Sequence, residues 1–203
     1  MNALLPVDTA PAPLTDAAIS ETSDPTLVAR AAAAGLIVLA VSAWPESADD
    51  VAAPALAGFV SSSFSPIAAE VARRCLQRRP VPVQGTDPAT GLIIVSALGD
   101  FDSARRVAQA VDSGGRIAPL MFFQCVPNAV AGYIATRWCL TGPVVCLGGE
   151  GAALDAAGLL LEDGDADEVL VIRVAQAATE LDRDSADAIL LAAGVPQHER
   201  GRT

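Results

Sequence analysis

Gly91-Leu-Ile-Ile-Val-Ser-Ala97, followed closely by Asp100 and a helix-compatible stretch that stops at Gly114-Gly115, decides how this chain folds. Leu92 to Val95 is wholly aliphatic with no polar alternation, which describes a strand buried on both faces. Asp100 can accept from the first free amides of a helix, and the glycine pair supplies a stop. A buried strand running straight into a capped helix is the building unit of α/β sheets.

The same alternation extends outward in both directions. Upstream, Gly35-Leu-Ile-Val-Leu-Ala-Val-Ser-Ala43, closed by Trp44-Pro45, reads as a central strand. Ser65 as N-cap, Pro66 at the first helical position and Pro80 as a stop frame a helix, with Ile67, Val71 and Cys75 on one face. Downstream, residues 118 to 126 read as an apolar loop, and Pro127 opens a helix that ends before Thr141-Gly142-Pro143. A strand over 144–147, a Gly148-Gly149 turn, a helix over 152–162, a strand over 168–174 and an apolar run over 188–192 follow. The expectation is one α/β domain of five strands and four helices, with residues 1–26 a disordered leader and 194–203 a flexible tail.

Composition narrows the function. The 203 residues are 52% apolar and 18% charged, enough for one buried core. The longest uncharged apolar run, Ala31 to Trp44, falls short of the roughly 20 residues that span a bilayer. No basic residue precedes the first hydrophobic residues, unlike a secretory signal, so the expectation is a cytoplasmic protein with no membrane partner. Twenty-four acidic residues against 13 basic ones argue against nucleic acid, whose phosphates such a surface repels. Cys75, Cys125, Cys139 and Cys146 show no CxxC pairing, so neither zinc nor a disulfide framework is indicated. Gly148, Gly149 and Gly151 could cradle an oxyanion, or simply make a turn; their spacing is not GxGxxG, and no cofactor is expected.

The stretch Phe122-Phe-Gln-Cys-Val-Pro-Asn-Ala-Val-Ala-Gly-Tyr-Ile-Ala-Thr-Arg-Trp-Cys-Leu-Thr-Gly-Pro143 resembles the segment that leads to the nucleophile of β-ketoacyl synthases, where Asn, Ala-Gly and a closing Gly-Pro recur. Neighbouring stretches, Gly91 to Asp100 and Gly164 to Val171, resemble flanking elements of that family in the same order. The strand ending in Ser42-Ala43-Trp44-Pro45 resembles the opening of the ketosynthase-like N-terminal domain of aryl-polyene and type II polyketide clusters. Over residues 35–193 the resemblance implies the N-terminal half of a thiolase-like fold, a five-stranded mixed sheet flanked by helices.

What the resemblance implies for chemistry is mostly loss. Condensation in that family needs a cysteine thiolate at a helix start and two histidines to stabilise the developing charge. The family cysteine stands about eight residues after the Gly-Pro, whereas here Cys146 comes three after Pro143, inside a strand. The lone histidine, His198, lies in the tail, and the chain has no lysine. Cys146 therefore reads as a packed thiol, with a displaced nucleophile as the alternative.

Phe122, Phe123, Asn128, Gly132 and Tyr133 fall where the resemblance implies a subunit interface and acyl tunnel, the plain reading being core aromatics. Arg73, Arg74, Arg78 and Arg79 crowd a helix end, where cations are favoured, and could instead dock an acyl carrier protein. The implied function is a non-catalytic, chain-length-factor-like partner in fatty-acid or polyketide synthesis, paired with a ketosynthase or with a second copy. The alternative is an acyltransferase or split condensing enzyme that uses Cys146 with residues from a partner chain.

Overall fold

The computed structural model describes residues 25–81, 87–117, 119–179 and 182–194; the expected tail beyond Gly194, with His198, and most of the expected leader lie outside them. Its strands are β1 (Leu36–Trp44), β2 (Thr90–Val95), β3 (Val144–Leu147), β4 (Glu168–Ala175) and β5 (Ser185–Ala193). Its helices are α1 (Pro25–Ala33), α2 (Phe64–Gln77), α3 (Phe101–Asp112), α4 (Pro119–Gln124), α5 (Pro127–Trp138) and α6 (Glu150–Glu162). The strands form one mixed sheet in the order β1-β5-β4-β2-β3. β2 is parallel to β3 and β4, and β5 runs antiparallel between β4 and β1.

Side-chain alternation along the strands feeds two separate cores. Leu92, Ile94, Leu170 and Ile172 pack with Ile67, Val71 and Cys75 of α2 and with Val130, Ala131 and Ile134 of α5. The intervening Ile93, Val95, Val169 and Val171 pack with Ala153, Leu154, Ala157 and Leu161 of α6 and with Leu27 and Ala31 of α1. The unbroken aliphatic runs thus serve helices on both faces, as the sequence led us to expect. Each such fully buried aliphatic side chain contributes about 2 kcal/mol of burial free energy.

β1 departs from strict alternation. Its register against β5 skips one residue between Val38 and Ala40, so Leu39 and Ala40 both join the α2 side while Val41 returns to the α6 side. This bulge leaves Ser42 facing α2, where its hydroxyl donates to the Val71 carbonyl at 2.7 Å. The expectation of a central strand fails here: β1 is an edge, and its apolar composition reflects burial by helices on both faces rather than strands on both sides.

Other boundaries also moved. α2 starts at Phe64, with Ser63 at the cap position and no side-chain cap bond; the complete burial of Phe64 draws the chain into the helix before Ser65. Asp100 caps α3 as expected, its carboxylate accepting from Ser103 N at 3.0 Å and Ser103 Oγ at 2.7 Å. Residues 119–124, expected as loop, form the short helix α4, for which Pro119 presets a helical φ. α1 is an amphipathic helix of about two and a half turns that starts at Pro25, just inside the expected leader. Among the described residues no helix is long and apolar enough to cross a membrane.

Candidate functional site

The turn from β3 into α6 is where a helix start meets the carboxyl ends of parallel strands, the usual place for chemistry in such sheets. β3 docks on β2 through Leu92 N to Pro143 O at 2.8 Å and Ser96 N to Leu147 O at 3.0 Å. Gly142 makes the approach possible. A Cβ there would stand 2.6 Å from Gly91 N and 2.7 Å from the Thr90 carbonyl carbon, so only glycine fits before Pro143.

Cys146 lies inside β3, half-buried, and burial raises its thiol pKa. That is opposite to what a nucleophile needs. Eight residues after Pro143 stands Gly151, in the first turn of α6, whose cap is Gly149. A cysteine side chain there would sit at the positive end of the helix, 3.7 Å at its Cβ from the Arg30 guanidinium, but the position carries no side chain. Neither Gly148, Gly149 nor Gly151 adopts positive φ, so the turn does not require glycine for its backbone.

The helix start is instead occupied by a carboxylate of the chain itself. Glu150 Oε1 lies 2.8 Å from Arg173 NH1, and Glu150 Oε2 lies 3.4 Å from Arg30 NH1. Arg173 continues to Asp187 at 2.7 Å. This chain of charges ties α1, α6, β4 and β5 together at one end of the sheet. Sequence reading did not identify it, although a lone Arg173 and Asp187 within aliphatic strands were a usable signal, since buried charges come paired.

The four arginines at the end of α2 have internal partners. Arg74 binds Asp50 at 2.8 Å and Glu70 at 2.8 Å, and Arg73 binds Glu70 at 2.6 Å. Arg78 binds Glu46 at 2.7 Å, and Arg79 reaches Glu168 at 3.1 Å. Two of them also seal the β1 edge: Arg78 NH1 donates to the Val41 carbonyl at 2.9 Å and Arg74 NH1 to the Ala43 carbonyl at 3.3 Å, while Ala43 N donates to Glu46 at 2.9 Å. Burial would raise the Glu46 carboxyl, but Arg78 and the Ala43 amide hold it below its ordinary value. Arg74 holds Asp50 well below the usual carboxylate range, and Arg73, joined by Arg74, lowers Glu70 against its burial. Glu168 goes the other way: burial raises it, despite Thr90 and Arg79.

At the opposite edge nothing comparable is found among the described residues. Pro143 and Leu147 turn their carbonyls to β2, so the backbone groups of Val144 and Cys146, out of phase with them, face outward. Around this bare strand and the α4–α5 segment the large apolar side chains are exposed: Phe123 72%, Phe122 54%, Val126 47%, Val144 44% and Tyr133 37%. Asn128 and Gly132 are exposed on the same stretch. Phe122 and Phe123 are therefore not core aromatics. They lie on the surface of α4, while the following α5 turns Val130, Ala131 and Ile134 into the core. Tyr133 packs edge-on against Phe59, centroids 6.1 Å apart, and borders a cleft of about 200 Å³ with Trp138, Arg137 and Arg73.

No protein-family model matches the sequence, and no curated protein sequence matches it. Solved structures do. The ketosynthase (ApeO) in complex with its chain length factor (ApeC) from Xenorhabdus doucetiae matches with a TM-score of 0.61 at 16% identity, over 80% of this chain and 80% of that one. The ishigamide ketosynthase/chain length factor matches at 0.54 and 19% identity, over 68% of this chain and 45% of that one. A chain of AntDE:AntF, a type II PKS acyl-carrier protein in complex with its ketosynthase bound to the hexaketide, matches at 0.55 and 14% identity, over 82% of this chain and 65% of that one. This chain thus spans less than two thirds of the latter two. From its sheet order, its two helical layers and these matches, the chain has the thiolase-like α/β fold of ketosynthases and chain length factors.

Proposed function

We propose that this chain is a non-catalytic, chain-length-factor-like partner of a ketosynthase in polyketide or fatty-acid synthesis, acting in the cytoplasm. One observation carries the reading: the helix start that would activate a sulfur holds Gly151 and the engaged carboxylate of Glu150, while Cys146 is left in a strand with a raised pKa. The unsealed β3 edge and the exposed Phe122, Phe123 and Tyr133 support association, because a bare edge and an apolar surface gain free energy when covered. Asn128 and Gly132, exposed beside them, belong to the same proposed contact surface.

The partner is a ketosynthase-type chain or a second copy. Carrier-protein docking at Arg73, Arg74, Arg78 and Arg79 has less electrostatic support, since each of these charges is balanced by a carboxylate of this chain. Acyl transfer through Cys146 with residues lent by a partner is the second reading, and burial of the thiol counts against it.

Co-expression with a ketosynthase that carries its own cysteine and histidines tests the proposal. The expected result is a complex that survives size-exclusion chromatography and a product of altered chain length. A chain that elutes alone and leaves the product profile unchanged overturns it.

A further inference from the structure

The α3–α5 surface has an electrostatic character that the rest of the chain lacks. From Asp100 to Pro143 stand four arginines and three aspartates, whereas the remaining residues hold nine arginines against 21 acidic residues, in a chain of net charge −11. Two of the three aspartates are already engaged: Asp100 caps α3 and accepts from the Ser62 hydroxyl at 2.6 Å, and Asp102 binds Arg105 at 3.1 Å. Arg106, Arg116 and Arg137 are exposed and have no carboxylate partner among the described residues, and within the segment Asp112 alone is left to offset them. Elsewhere Arg30, Arg73, Arg74, Arg78, Arg79 and Arg173 each bind a carboxylate of the chain itself.

The same surface carries unburied apolar groups. α3 turns only Ser103 into the core and leaves Ala104, Ala108 and Val111 exposed at helical spacing. Gln124 at the end of α4 lines a small cleft with Ser103 of α3 and with Phe59, whose ring meets Tyr133 of α5, so the three helices adjoin in one surface that includes Phe122 and Phe123. Arg137 and Arg73 border the cleft beside Tyr133, where the one carboxylate, Glu70, is already bound by Arg73. Apolar contact and negative charge are what such a surface lacks in water and gains from whatever covers it.

We propose that the α3–α5 surface pairs with an acidic face of a different chain, and that Arg106, Arg116 and Arg137 disfavour a second copy there. A copy related by a twofold axis would bring the same patch against itself, arginines toward arginines. Like charges across an interface oppose pairing, and opposite charges favour it. This rests on the reading of α4 and α5 as a contact surface and narrows the partner to a chain other than this one.

Sedimentation velocity on the full chain, on its Arg106→Glu, Arg116→Glu, Arg137→Glu triple variant and on their equimolar mixture tests it without any partner protein. At about 50 mM NaCl each protein alone should remain monomeric, while the mixture, whose patches are now opposite in sign, should pair at least about tenfold more tightly than either alone. Roughly 500 mM NaCl should dissolve that pairing. The double variant Arg106→Glu, Arg116→Glu should act in the same direction by a smaller factor. A mixture no tighter than its components, pairing of the mixture that salt leaves unchanged, or a wild-type dimer at low salt would each overturn the proposal. A ketosynthase that captures wild type and triple variant equally also overturns it while leaving the ketosynthase reading intact; capture of neither sinks that reading, and the mixture still decides this one.

Discussion

The two edges of the sheet are built on opposite principles. At β1 the outward backbone groups of Val41 and Ala43 are taken by Arg78, Arg74 and Glu46, and those side chains are locked in turn by Asp50 and Glu70. At β3 the outward groups of Val144 and Cys146 meet no side chain among the described residues, and the Val144 side chain is exposed. The first edge has no backbone groups left for another strand and the second does, and the proposed contact surface uses the second. The arginine cluster, which the sequence offers as a docking patch, is the means of closing the first.

The comparison can be broken at four points of decreasing effect. Gly142→Ala should be the most damaging, because the new methyl group would strike the β2 backbone and push β3 off the sheet. A loss of about 3 kcal/mol or more is expected in urea unfolding, the upper end of overpacking costs. Arg74→Ala should cost on the order of 2 kcal/mol, since it leaves the Ala43 carbonyl without its donor and takes the guanidinium from Asp50, while Glu70 keeps Arg73.

Acid should then unseal the β1 edge. Glu46, Asp50 and Glu70 have folded pKa values below their unfolded ones, so their contribution is complete above the ordinary carboxylate range, about pH 4, and is lost as pH falls through the lowered values. Glu168, with its raised value, has the opposite sign: its contribution is present at low pH and is lost as pH rises through the raised value. The urea midpoint should accordingly fall in acid, and Arg74→Ala should flatten that dependence; an unchanged acid slope in the variant would mean that Arg74 does not set these carboxylates. The mildest change, Val144→Lys, should alter stability by less than about 0.5 kcal/mol, as the side chain is exposed, yet abolish association with the ketosynthase in sizing experiments.

Much of this was legible in the sequence. The strands at residues 91–97 and 168–174 and the helix with Ile67, Val71 and Cys75 follow from hydrophobic pattern alone, because local burial on both faces leaves an unmistakable composition. Asp100 as a cap was equally plain. The position of β1 was not: a strand covered by helices on both faces and closed by arginines at its side has the composition of a central one. Nor could α4 be foreseen, since its exposed Phe122 and Phe123 give no amphipathic period. At the candidate site, the misplacement of Cys146 could be read by counting from Pro143, whereas the Arg30–Glu150–Arg173–Asp187 chain joins residues up to 157 positions apart, which no local pattern records.

The decisive question is whether any sulfur in this scaffold is activated, and alkylation of the intact chain followed by peptide mass spectrometry answers it. Iodoacetamide at neutral pH should leave Cys146 unmodified in the folded wild type, while a Gly151→Cys variant, with its thiol at the helix start beside Arg30, should react rapidly at the new position. Rapid labelling or a trapped acyl thioester at Cys146 in the wild type would contradict a non-catalytic role.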